Sequence, residues 1–422
     1  MNIAVIGAGY VGLVTAAGLA HLGHTVKLGE ANPDRVASLE AGEVPIFEVG
    51  LAPLLEAARG TGRISFHISN PTAVKDADLV FLCLPTPADA TGRADLSFIR
   101  QVVDELALVV EPETILVVKS TVPPGTTVAL HKRLADLGSS ARLVAHPEFL
   151  REGTAVEDFL QPDRIVVGAF ETLDADAVSA LYADFGVRVV QTDPTSAEMI
   201  KYASNSYLAA RLTFANALAN LSEAVGADIV DVLEGVGLDH RIGPHFLKPG
   251  PGYGGSCFPK DTLALIEVAA DAGYDFRLLR AVIEADEDQR QRIATKVKNA
   301  AGGDLNGRTV GLWGLAFKAG TDDVRESPAT RIARLLIDQG ALVQAFDPEA
   351  SAPGILSTGS PLEAVDGADV LLIATEWPEF TAIDLGEVRT RMRGRTVVDA
   401  RNLLDPATVR GAGLEYFGLG RS

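Results

Sequence analysis

Cysteine and basic residues are both scarce in this sequence. Only two cysteines, Cys83 and Cys257, occur among 422 residues, so no disulfide framework holds the fold, and a reducing cytoplasm is the expected compartment. Lysine and arginine number 37 against 56 acidic residues, which gives a net charge of −19. This charge disfavours DNA, RNA or an anionic membrane as a partner. The few lysines and arginines that stand inside sequence motifs are therefore candidates for ligand contacts.

Long apolar runs are absent as well. No run reaches the ~20 residues that cross a bilayer, and no basic segment precedes the opening M-N-I-A-V-I-G. We therefore expect a soluble chain without a signal peptide. Hydrophobic residues make up 47% and charged residues 22%, which is ordinary for a globular enzyme and excludes a disordered chain. The length predicts two or three domains.

Buried strands alternate with helices at both ends of the chain, and the predicted strands include residues 25–29, 342–346 and 396–399. The middle of the chain is instead predicted to be helical, over residues 196–225 and 262–300. This alternation predicts an α/β protein with parallel, doubly wound sheets. The predicted architecture is two Rossmann-like lobes joined by a central helical region. Its segments are residues 1–193, 194–303 and 304–422, and the last lobe lacks a complete G-x-G-x-x-G motif.

A dinucleotide motif follows the first predicted strand. Gly7, Gly9 and Gly12 allow a tight turn that directs helix amides at a pyrophosphate. Glu30 ends the second strand, where an acid accepts hydrogen bonds from ribose hydroxyls and favours NAD over NADP. Arg35 weakens that preference slightly, since an arginine there meets a 2′-phosphate.

The segment G-P-G-Y-G-G-S-C-F-P-K-D places Cys257 inside a glycine-rich loop, three residues before Lys260 and four before Asp261. Glycines let the backbone approach a ligand closely, and a thiol near a cation is placed to act as a nucleophile. The alternative is a structural cysteine beside a turn. Cys83, in an apolar strand, is expected to be inert core.

Three further groups of polar residues stand at predicted strand ends or on one helix face. Thr86 and Thr121 follow strands and contact the cofactor or a water, or else serve only as turn residues. Glu148 and Glu152 are two carboxylates able to take different roles, or a solvated pair. Lys201 and Asn205 share a helix face that suits an oxyanion, or simply faces solvent.

Several cations stand beside glycines or at strand ends, as ligands of phosphate and sugar groups do. They are Arg241, Lys248, Lys318, Arg325 and Arg401. His146, which follows a strand, is expected to be structural.

The sequence resembles the UDP-glucose/GDP-mannose dehydrogenase family over almost its whole length. The motifs that carry the resemblance are G-A-G-Y-V-G, P-I-F-E-V-G-L, S-T-V-P-P-G-T, H-P-E-F-L-R-E-G, K-Y-A-S-N, G-P-G-Y-G-G-S-C-F-P-K-D and G-L-A-F-K-A-G-T-D-D-V-R-E-S-P-A. The resemblance implies an NAD-binding first lobe, a helical core that forms a homodimer, and a last lobe that holds the nucleotide of a nucleotide sugar. It also implies oxidation of the sugar's primary alcohol to a carboxylate with two NAD.

The resemblance also implies roles for individual residues. The catalytic residues are Cys257 as nucleophile, Lys201 and Asn205 for the charged oxygen, Glu148 for thioester hydrolysis, and Thr121 and Asp261 for the water. Cofactor contacts come from Gly7, Gly9, Tyr10, Val11, Gly12, Glu30, Arg35, Thr86, Thr121, Glu152, Lys260 and Arg325. Substrate contacts come from Glu148, Phe149, Leu150, Arg151, Glu152, Lys201, Asn205, Arg241, Phe246, Leu247, Lys248, Pro249, Gly250, Tyr253, Gly254, Lys318 and Arg401, and no metal is expected.

UDP-glucose is the favoured substrate within that family, because Phe258 and Lys260 surround the cysteine in the pattern typical of such enzymes. GDP-mannose and other nucleotide sugars remain alternatives. Outside the family, a two-electron hydroxyacid-type dehydrogenase remains open, although such an enzyme needs no thiol. A non-enzymatic nucleotide sensor would tolerate loss of Cys257, Lys201 and Asn205, yet all three are present.

Overall fold

The computed structural model describes residues 1–89 and 91–421 and divides into two compact units. The first comprises Met1–Ser204 and Leu263–Gly273, and the second comprises Asn205–Thr262 and Tyr274–Ser422. Two borders of these units fall inside helices, after Ser204 and after Thr262, and the third falls between two helices, after Gly273. The division of the sequence into three segments stays a prediction.

The first unit contains an eight-stranded sheet with helices in its connections. Its strands are β1 (Asn2–Ile6), β2 (Thr25–Gly29), β3 (Ile64–His67), β4 (Leu79–Leu82), β5 (Ile115–Val118), β6 (Arg142–Ala145), β7 (Ile165–Ala169) and β8 (Val189–Thr192). Its helices are α1 (Tyr10–His21), α2 (Pro33–Ala41), α3 (Leu51–Gly60), α4 (Asn70–Val74), α5 (Ser97–Leu106), α6 (Thr126–Asp136), α7 (Ala155–Leu160) and α8 (Thr172–Ser179).

The strand order is β3-β2-β1-β4-β5-β6-β7-β8. Strands β4 and β5 are buried at every residue, as expected for central parallel strands covered on both faces. One pair departs from the parallel arrangement of the predicted doubly wound sheet, because β7 runs antiparallel to β6. The connection between these two strands contains the six-residue α7 and leads into β7 at the edge of the sheet where β6 ends.

Four helices occupy the middle of the chain. They are α9 (Pro194–Val225), α10 (Ile229–Gly237), α11 (Phe258–Asp271) and α12 (Arg277–Ala300). The long α9 confirms the predicted helix over residues 196–225. The second predicted helical region, residues 262–300, is two helices, because Gly273 takes a positive φ of 72° that ends α11.

The last lobe belongs to the second unit and contains a parallel sheet that has fewer strands than the sheet of the first unit. Its strands are β9 (Thr309–Trp313), β10 (Leu342–Phe346), β11 (Leu356–Ser357), β12 (Val370–Ile373), β13 (Thr396–Asp399) and β14 (Glu415–Phe417), in the order β11-β10-β9-β12-β13-β14. Its helices are α13 (Pro328–Asp338), α14 (Leu385–Arg391) and α15 (Pro406–Gly411). Both lobes therefore have the doubly wound strand order that was predicted.

The first turn of this last lobe is occupied by a carboxylate of the lobe itself. Asp347, just after β10, accepts hydrogen bonds from the amides of Leu315 (2.7 Å) and Ala316 (3.0 Å) and from the indole N–H of Trp377 (3.0 Å). These two amides lie where the phosphate-binding amides of a dinucleotide turn lie. The turn thus binds a carboxylate of its own lobe, as the Ala8 amide of the first lobe does with Glu30.

None of the helices in residues 1–89 and 91–421 is both long enough and apolar enough to span a membrane.

Close packing of α1 against α7 predicts the effect of one glycine on stability. A methyl group on Gly18 would stand 2.2 Å from a ring carbon of the buried Phe159. Gly18→Ala should therefore lower the free energy of unfolding by about 1–3 kcal/mol, because the ring must move within a packed core. Urea denaturation measures this difference.

Gly235, an exposed glycine within α10, is the matched control. A methyl group there meets no atom within 4 Å. Gly235→Ala should raise stability by about 0.5–1 kcal/mol, since alanine favours the helix. A Gly18→Ala protein as stable as the wild type would contradict the prediction, since α7 would then move at no measurable cost in free energy.

Candidate active site

The turn between β1 and α1 is tight enough to require glycine. Gly7 has a φ of 102°, and a methyl group on Gly12 would stand 1.8 Å from the Gly7 carbonyl oxygen. At Gly9, the N-cap of α1, a methyl group would meet nothing within 4 Å. Two glycines thus close the turn and the third leaves room for a ligand against the helix amides. These residues fit a dinucleotide.

Glu30 lies beside this turn, where the sequence predicted it. Its carboxylate accepts the Ala8 N–H at 3.0 Å and the Asn32 N–H at 2.9 Å. The Arg35 guanidinium is 3.9 Å from the Glu30 carboxylate. Arg35 therefore neutralises part of the acid's charge while remaining half exposed.

Thr86 and Thr121 connect the loops that follow β4 and β5. The Thr86 hydroxyl donates to the Thr121 carbonyl at 2.8 Å, and both residues are buried. Ser120 strengthens the connection by accepting the Leu84 N–H at 2.8 Å. The two threonines that were proposed separately thus belong to one structure at the carboxyl edge of the sheet.

A buried ion pair joins the segment after β6 to α9. The Lys201 Nζ is 2.9 Å from the Glu148 Oε1, and both side chains are 4% exposed. The other carboxylate oxygen accepts the Leu150 N–H at 2.6 Å. Burial by itself raises the pKa of Glu148, but Lys201, the Leu150 amide and Lys119 outweigh it and hold this pKa below its usual value. Glu148 is therefore an anion able to accept a proton.

A second lysine lies buried behind Glu148. Burial lowers the pKa of Lys119 to about 8, although the Glu148 carboxylate opposes the shift. The Lys119 Nζ is 3.1 Å from the His146 Nε2, and the Tyr182 hydroxyl oxygen is 2.8 Å from the same nitrogen. The His146 Nδ1 is 2.7 Å from the Val166 carbonyl oxygen. His146 therefore serves a buried network, as predicted for a structural histidine.

The rest of the 148–153 segment is held on several sides. The Arg164 guanidinium lies 3.7 Å from the centroid of the Phe149 ring, a cation–π contact. Arg151, predicted to contact substrate, points to the surface and pairs with Asp158. Glu152 is half buried.

Cys257 directly precedes α11, in the second unit. It is partly exposed, its sulfur lies 3.6 Å from the Ser256 hydroxyl, and its carbonyl accepts the Asp261 N–H at 3.0 Å. The N-terminal end of a helix stabilises negative charge. A thiolate at Cys257 is therefore favoured by position.

The carboxylate of Asp261 is fully buried and has two polar partners. It accepts the Asn205 amide at 2.6 Å and the Lys260 ammonium at 2.6 Å. Three residues that were predicted separately thus form one hydrogen-bonded group in this unit.

The glycine loop before Cys257 is clamped by side chains from α9 and α12. The Gly250 N–H donates to the side-chain oxygen of Asn216 at 2.7 Å, and the Gly250 carbonyl accepts from the side-chain amide of Gln289 at 3.0 Å. The backbone N–H of Tyr253 donates to the Asp286 carboxylate at 2.9 Å, and the Tyr253 carbonyl accepts from the Arg290 guanidinium at 3.2 Å.

Close contacts also require glycine in this loop. Methyl groups on Gly254 and Gly255 would lie 2.6 Å from the Glu326 carbonyl and 2.8 Å from the Phe317 ring. The loop therefore lies against both α12 and the turn after β9.

Two of the predicted cationic residues, Arg401 and Lys318, lie near one turn of the last lobe. Arg401 donates to the carbonyls of Phe317 (2.7 Å) and Ala374 (2.9 Å) and lies against Gly250. The Lys318 ammonium lies 5.8 Å from the Phe317 ring centroid. These two cations therefore lie close to the same turn.

The other cations lie differently. Arg325 pairs with Asp323 at 2.7 Å, and its carbonyl accepts the Gly255 N–H. Arg241 is 77% exposed and pairs with Asp239, while Lys248 is exposed. Of the remaining predicted substrate contacts, Leu247 and Tyr253 are buried, whereas Phe246 and Pro249 are half buried.

Sequence reasoning missed the residues that hold these segments in place. They are Glu48, Lys119, Asn216, Asp286, Gln289 and Arg290. Two signals were available: Glu48 is the only acid in P-I-F-E-V-G-L, and Asp286 and Arg290 are spaced to pair on one helix face. Within the described part of the chain, no group of three or more His, Cys, Asp and Glu side chains is arranged to hold a metal ion.

Comparison with known proteins gives matches along the whole chain. Residues 1–186 match the NAD binding domain of the UDP-glucose/GDP-mannose dehydrogenase family, residues 195–288 its central domain, and residues 311–406 its UDP binding domain. The UDP-glucose 6-dehydrogenase of Pseudomonas aeruginosa is 42% identical, over 100% of this chain and 98% of that protein.

A second relative and a solved structure agree. The UDP-glucose 6-dehydrogenase of Rhizobium meliloti is 41% identical, with 100% of both chains covered. The structure of a UDP-glucose dehydrogenase from Pyrobaculum islandicum superposes with a TM-score of 0.92 at 38% identity, covering 100% of this chain and 98% of that one.

The buried His146 predicts a loss of stability in acid. Burial, and then the Lys119 ammonium, lower the pKa of His146 well below its ordinary value. Below pH 6.5 the unfolded chain binds a proton that the folded chain does not, so stability falls as the pH falls. Between pH 7 and pH 5 this group should remove about 2 kcal/mol from the free energy of unfolding.

His146→Gln should lose less stability than the wild type over that interval, because glutamine does not titrate. Urea denaturation at both pH values measures the difference, with His240→Gln, at a side chain 95% exposed, as the control. Equal acid losses in wild type and His146→Gln would contradict the assignment.

Proposed function

The chain belongs to the UDP-glucose/GDP-mannose dehydrogenase family, and from that premise we propose that it oxidises UDP-glucose to UDP-glucuronate with two NAD. The observation that carries the proposal is Cys257 at the start of α11, in a clamped glycine loop, three residues before the Lys260–Asp261–Asn205 group. A two-electron alcohol dehydrogenation has no use for a thiol, whereas a thiolate gives oxidation to a carboxylate a covalent route through a thioester. Full-length similarity to UDP-glucose 6-dehydrogenases supports the choice of substrate.

The first lobe supplies the contacts for NAD. Gly9 leaves space beside the amides of α1, and Glu30 stands at the strand end where ribose hydroxyls bind. NAD, when bound, accepts one hydride in each of the two oxidation steps. A negative Glu30 repels the 2′-phosphate of NADP, so it favours the unphosphorylated cofactor.

The first step removes a hydride and a proton from the primary alcohol of the sugar, gives an aldehyde and releases the proton to water. We assign Lys201 and Asn205 to the oxygen that gains charge, since an ammonium and an amide both donate hydrogen bonds. Glu148 limits where the Lys201 ammonium can lie, because the two are paired at 2.9 Å. The buried pair thus orients the donor before the substrate arrives.

The second step uses the thiolate of Cys257. A carbon–sulfur bond forms at the aldehyde carbon while the carbonyl oxygen takes up a proton from water, which gives a tetrahedral thiohemiacetal that carries a hydride to lose. Loss of that hydride, with release of the hydroxyl proton to water, leaves a thioester. Thr121 and Asp261 position a water, Glu148 takes a proton from it, and attack by that water breaks the carbon–sulfur bond. A carboxylate and the free thiolate result.

The UDP group is assigned to the last lobe, which matches the UDP binding domain of the family. Lys318 and Arg401 lie close to the turn after β9, and residues 246–250 carry Lys248. In a chain with a net charge of −19, such cations offset the repulsion of a diphosphate.

We further propose that the protein acts as a homodimer through α9. Tyr207, Phe214 and Leu221 follow one another every seven residues and are 62%, 57% and 56% exposed. Residues seven apart lie on one face of a helix. A line of large exposed apolar side chains is typical of a contact surface, and a second copy offers the same line in return.

The first test is the yield of NADH per sugar nucleotide. Two NADH should form per UDP-glucose consumed, with little free aldehyde, because the thioester route completes both oxidations. Cys257→Ala should abolish this turnover. Absorbance at the NADH band, with chromatographic quantitation of the sugar nucleotide, gives the ratio, and the mass of rapidly quenched wild-type enzyme detects the acyl adduct.

Cys257→Ser and a panel of substrates are the controls. Serine keeps the size of the side chain but is a poorer nucleophile and leaving group, so binding should persist while turnover collapses. UDP-glucose should exceed GDP-mannose and UDP-N-acetylhexosamines in kcat/KM. One NADH per substrate, or full activity of Cys257→Ala, excludes the mechanism.

The second test concerns the dimer. The wild type should have twice the chain mass of 44.4 kDa, and Phe214→Glu combined with Leu221→Glu should give the monomer, since charge is costly in an apolar contact. Light scattering after size exclusion measures both masses. Leu173→Glu, at a residue 77% exposed on α8, is the control and should leave the dimer intact. A monomeric wild type excludes the dimer.

A further inference from the structure

Glu48 is a buried acid in an exposed loop. It is 6% exposed, while its neighbours Phe47 and Val49 are 36% and 60% exposed. It belongs to P-I-F-E-V-G-L, a motif to which the proposed function gives no role. A carboxylate turned inward from a surface loop needs partners, because burial of an unpaired charge is costly.

The carboxylate of Glu48 accepts three hydrogen bonds from two distant segments. Its Oε1 accepts the Ala155 N–H at 2.8 Å, and its Oε2 accepts the Gly153 N–H at 2.7 Å and the hydroxyl of Tyr10. The hydroxyl of Tyr10 in turn lies 3.2 Å from the Gly153 nitrogen. Tyr10, Glu48 and Gly153 thus form a closed triangle of hydrogen bonds.

The two segments that Glu48 joins are those of the proposed active site. Tyr10 is the first residue of α1 and follows Gly9 of the dinucleotide turn. Gly153 ends the segment that begins at Glu148, and Ala155 begins α7. Burial, and then the Glu48 carboxylate, raise the pKa of Tyr10, so the phenol keeps the proton that it donates.

We propose that Glu48 is a positioning residue that, with Tyr10, fixes the 148–153 segment relative to the dinucleotide turn. The proposal rests on the proposed function in one respect, namely that Glu148 takes part in the reaction. Glu48 acts through other residues, since its contacts are a phenol and two amides. It sets the distance between the turn that holds the cofactor and the segment that holds the acid.

The chemistry of the three donors explains why a carboxylate stands here. Both of its oxygens accept, and all three partners donate. Glutamine has one accepting oxygen, so its NH2 group would face an N–H or O–H donor. Aspartate keeps both oxygens but is one methylene shorter and cannot reach both segments. Glu48→Gln is therefore a change of charge and donor pattern at constant size.

Hydrogen–deuterium exchange of the free protein tests the positioning. In Glu48→Gln, the amides of residues 149–155 should exchange at least about 10-fold faster, because the Gly153 and Ala155 amides lose an acceptor. Exchange in the second unit should not change. A variant that is merely less stable would exchange faster throughout, which would overturn the proposal. This measurement needs no substrate, so it stands even if UDP-glucose is not turned over.

Kinetics with UDP-glucose and NAD test the consequence for the reaction. Glu48→Gln should lower kcat by roughly 10–100-fold, as a small displacement of reacting groups does, and raise the KM for NAD several-fold. The KM for UDP-glucose should change less. An unchanged kcat in a protein with faster local exchange would overturn the link to catalysis.

Tyr10→Phe keeps the proposal testable should Glu48→Gln fail to fold. It removes one hydroxyl and should speed exchange at Gly153 and lower kcat several-fold; no change in either measurement excludes the proposal. The double variant should be no worse than Glu48→Gln alone, because both changes break one unit. Additive losses would mean that the two residues act separately. Glu43→Gln, at an exposed acid in the same loop, is the control and should match the wild type.

Discussion

The buried ion pair between Lys201 and Glu148 is the interaction on which the first unit's site depends. Two charges that are each 4% exposed stay ionised only if each has its partner, and removal of one partner from such a pair costs about 3–5 kcal/mol. The pair ties the segment after β6 to α9, and the Leu150 amide completes the carboxylate's coordination. The backbone from Glu148 onward is therefore set by where these charges can meet.

The sequence predicted what depends on local patterns. Strands β2, β10 and β13 have the predicted bounds, because their apolar runs end at glycine or at polar residues. The dinucleotide turn and the cysteine loop could be located because glycine at fixed spacing signals a close backbone approach. The pairing of Asp261 with Asn205 could not be predicted, since the two are 56 residues apart and only the fold brings them together.

Other features depend on tertiary packing and gave weak local signals. The antiparallel direction of β7 could not be predicted from its residues, because strand propensity is the same in both directions. The buried role of Lys119 could not be predicted, because Lys119 stands beside Ser120 and Thr121, which carry the recognisable motif. Asp286, Gln289 and Arg290 belong to a helix that shows only ordinary polar spacing in sequence. Glycine-rich loops have few side chains of their own with which to hold a shape, so the residues that fix them lie elsewhere in the chain.

Asp347 holds in the last lobe the place that Glu30 holds in the first. Each acid follows the second strand of its lobe and accepts an amide of the first turn, from Leu315 in the last lobe and from Ala8 in the first. Asp347 also accepts the Ala316 N–H and the Trp377 indole N–H. A partner attached to the same chain has an effective concentration in the millimolar range or above, so this turn of the last lobe is joined to the neighbouring strand end at any protein concentration.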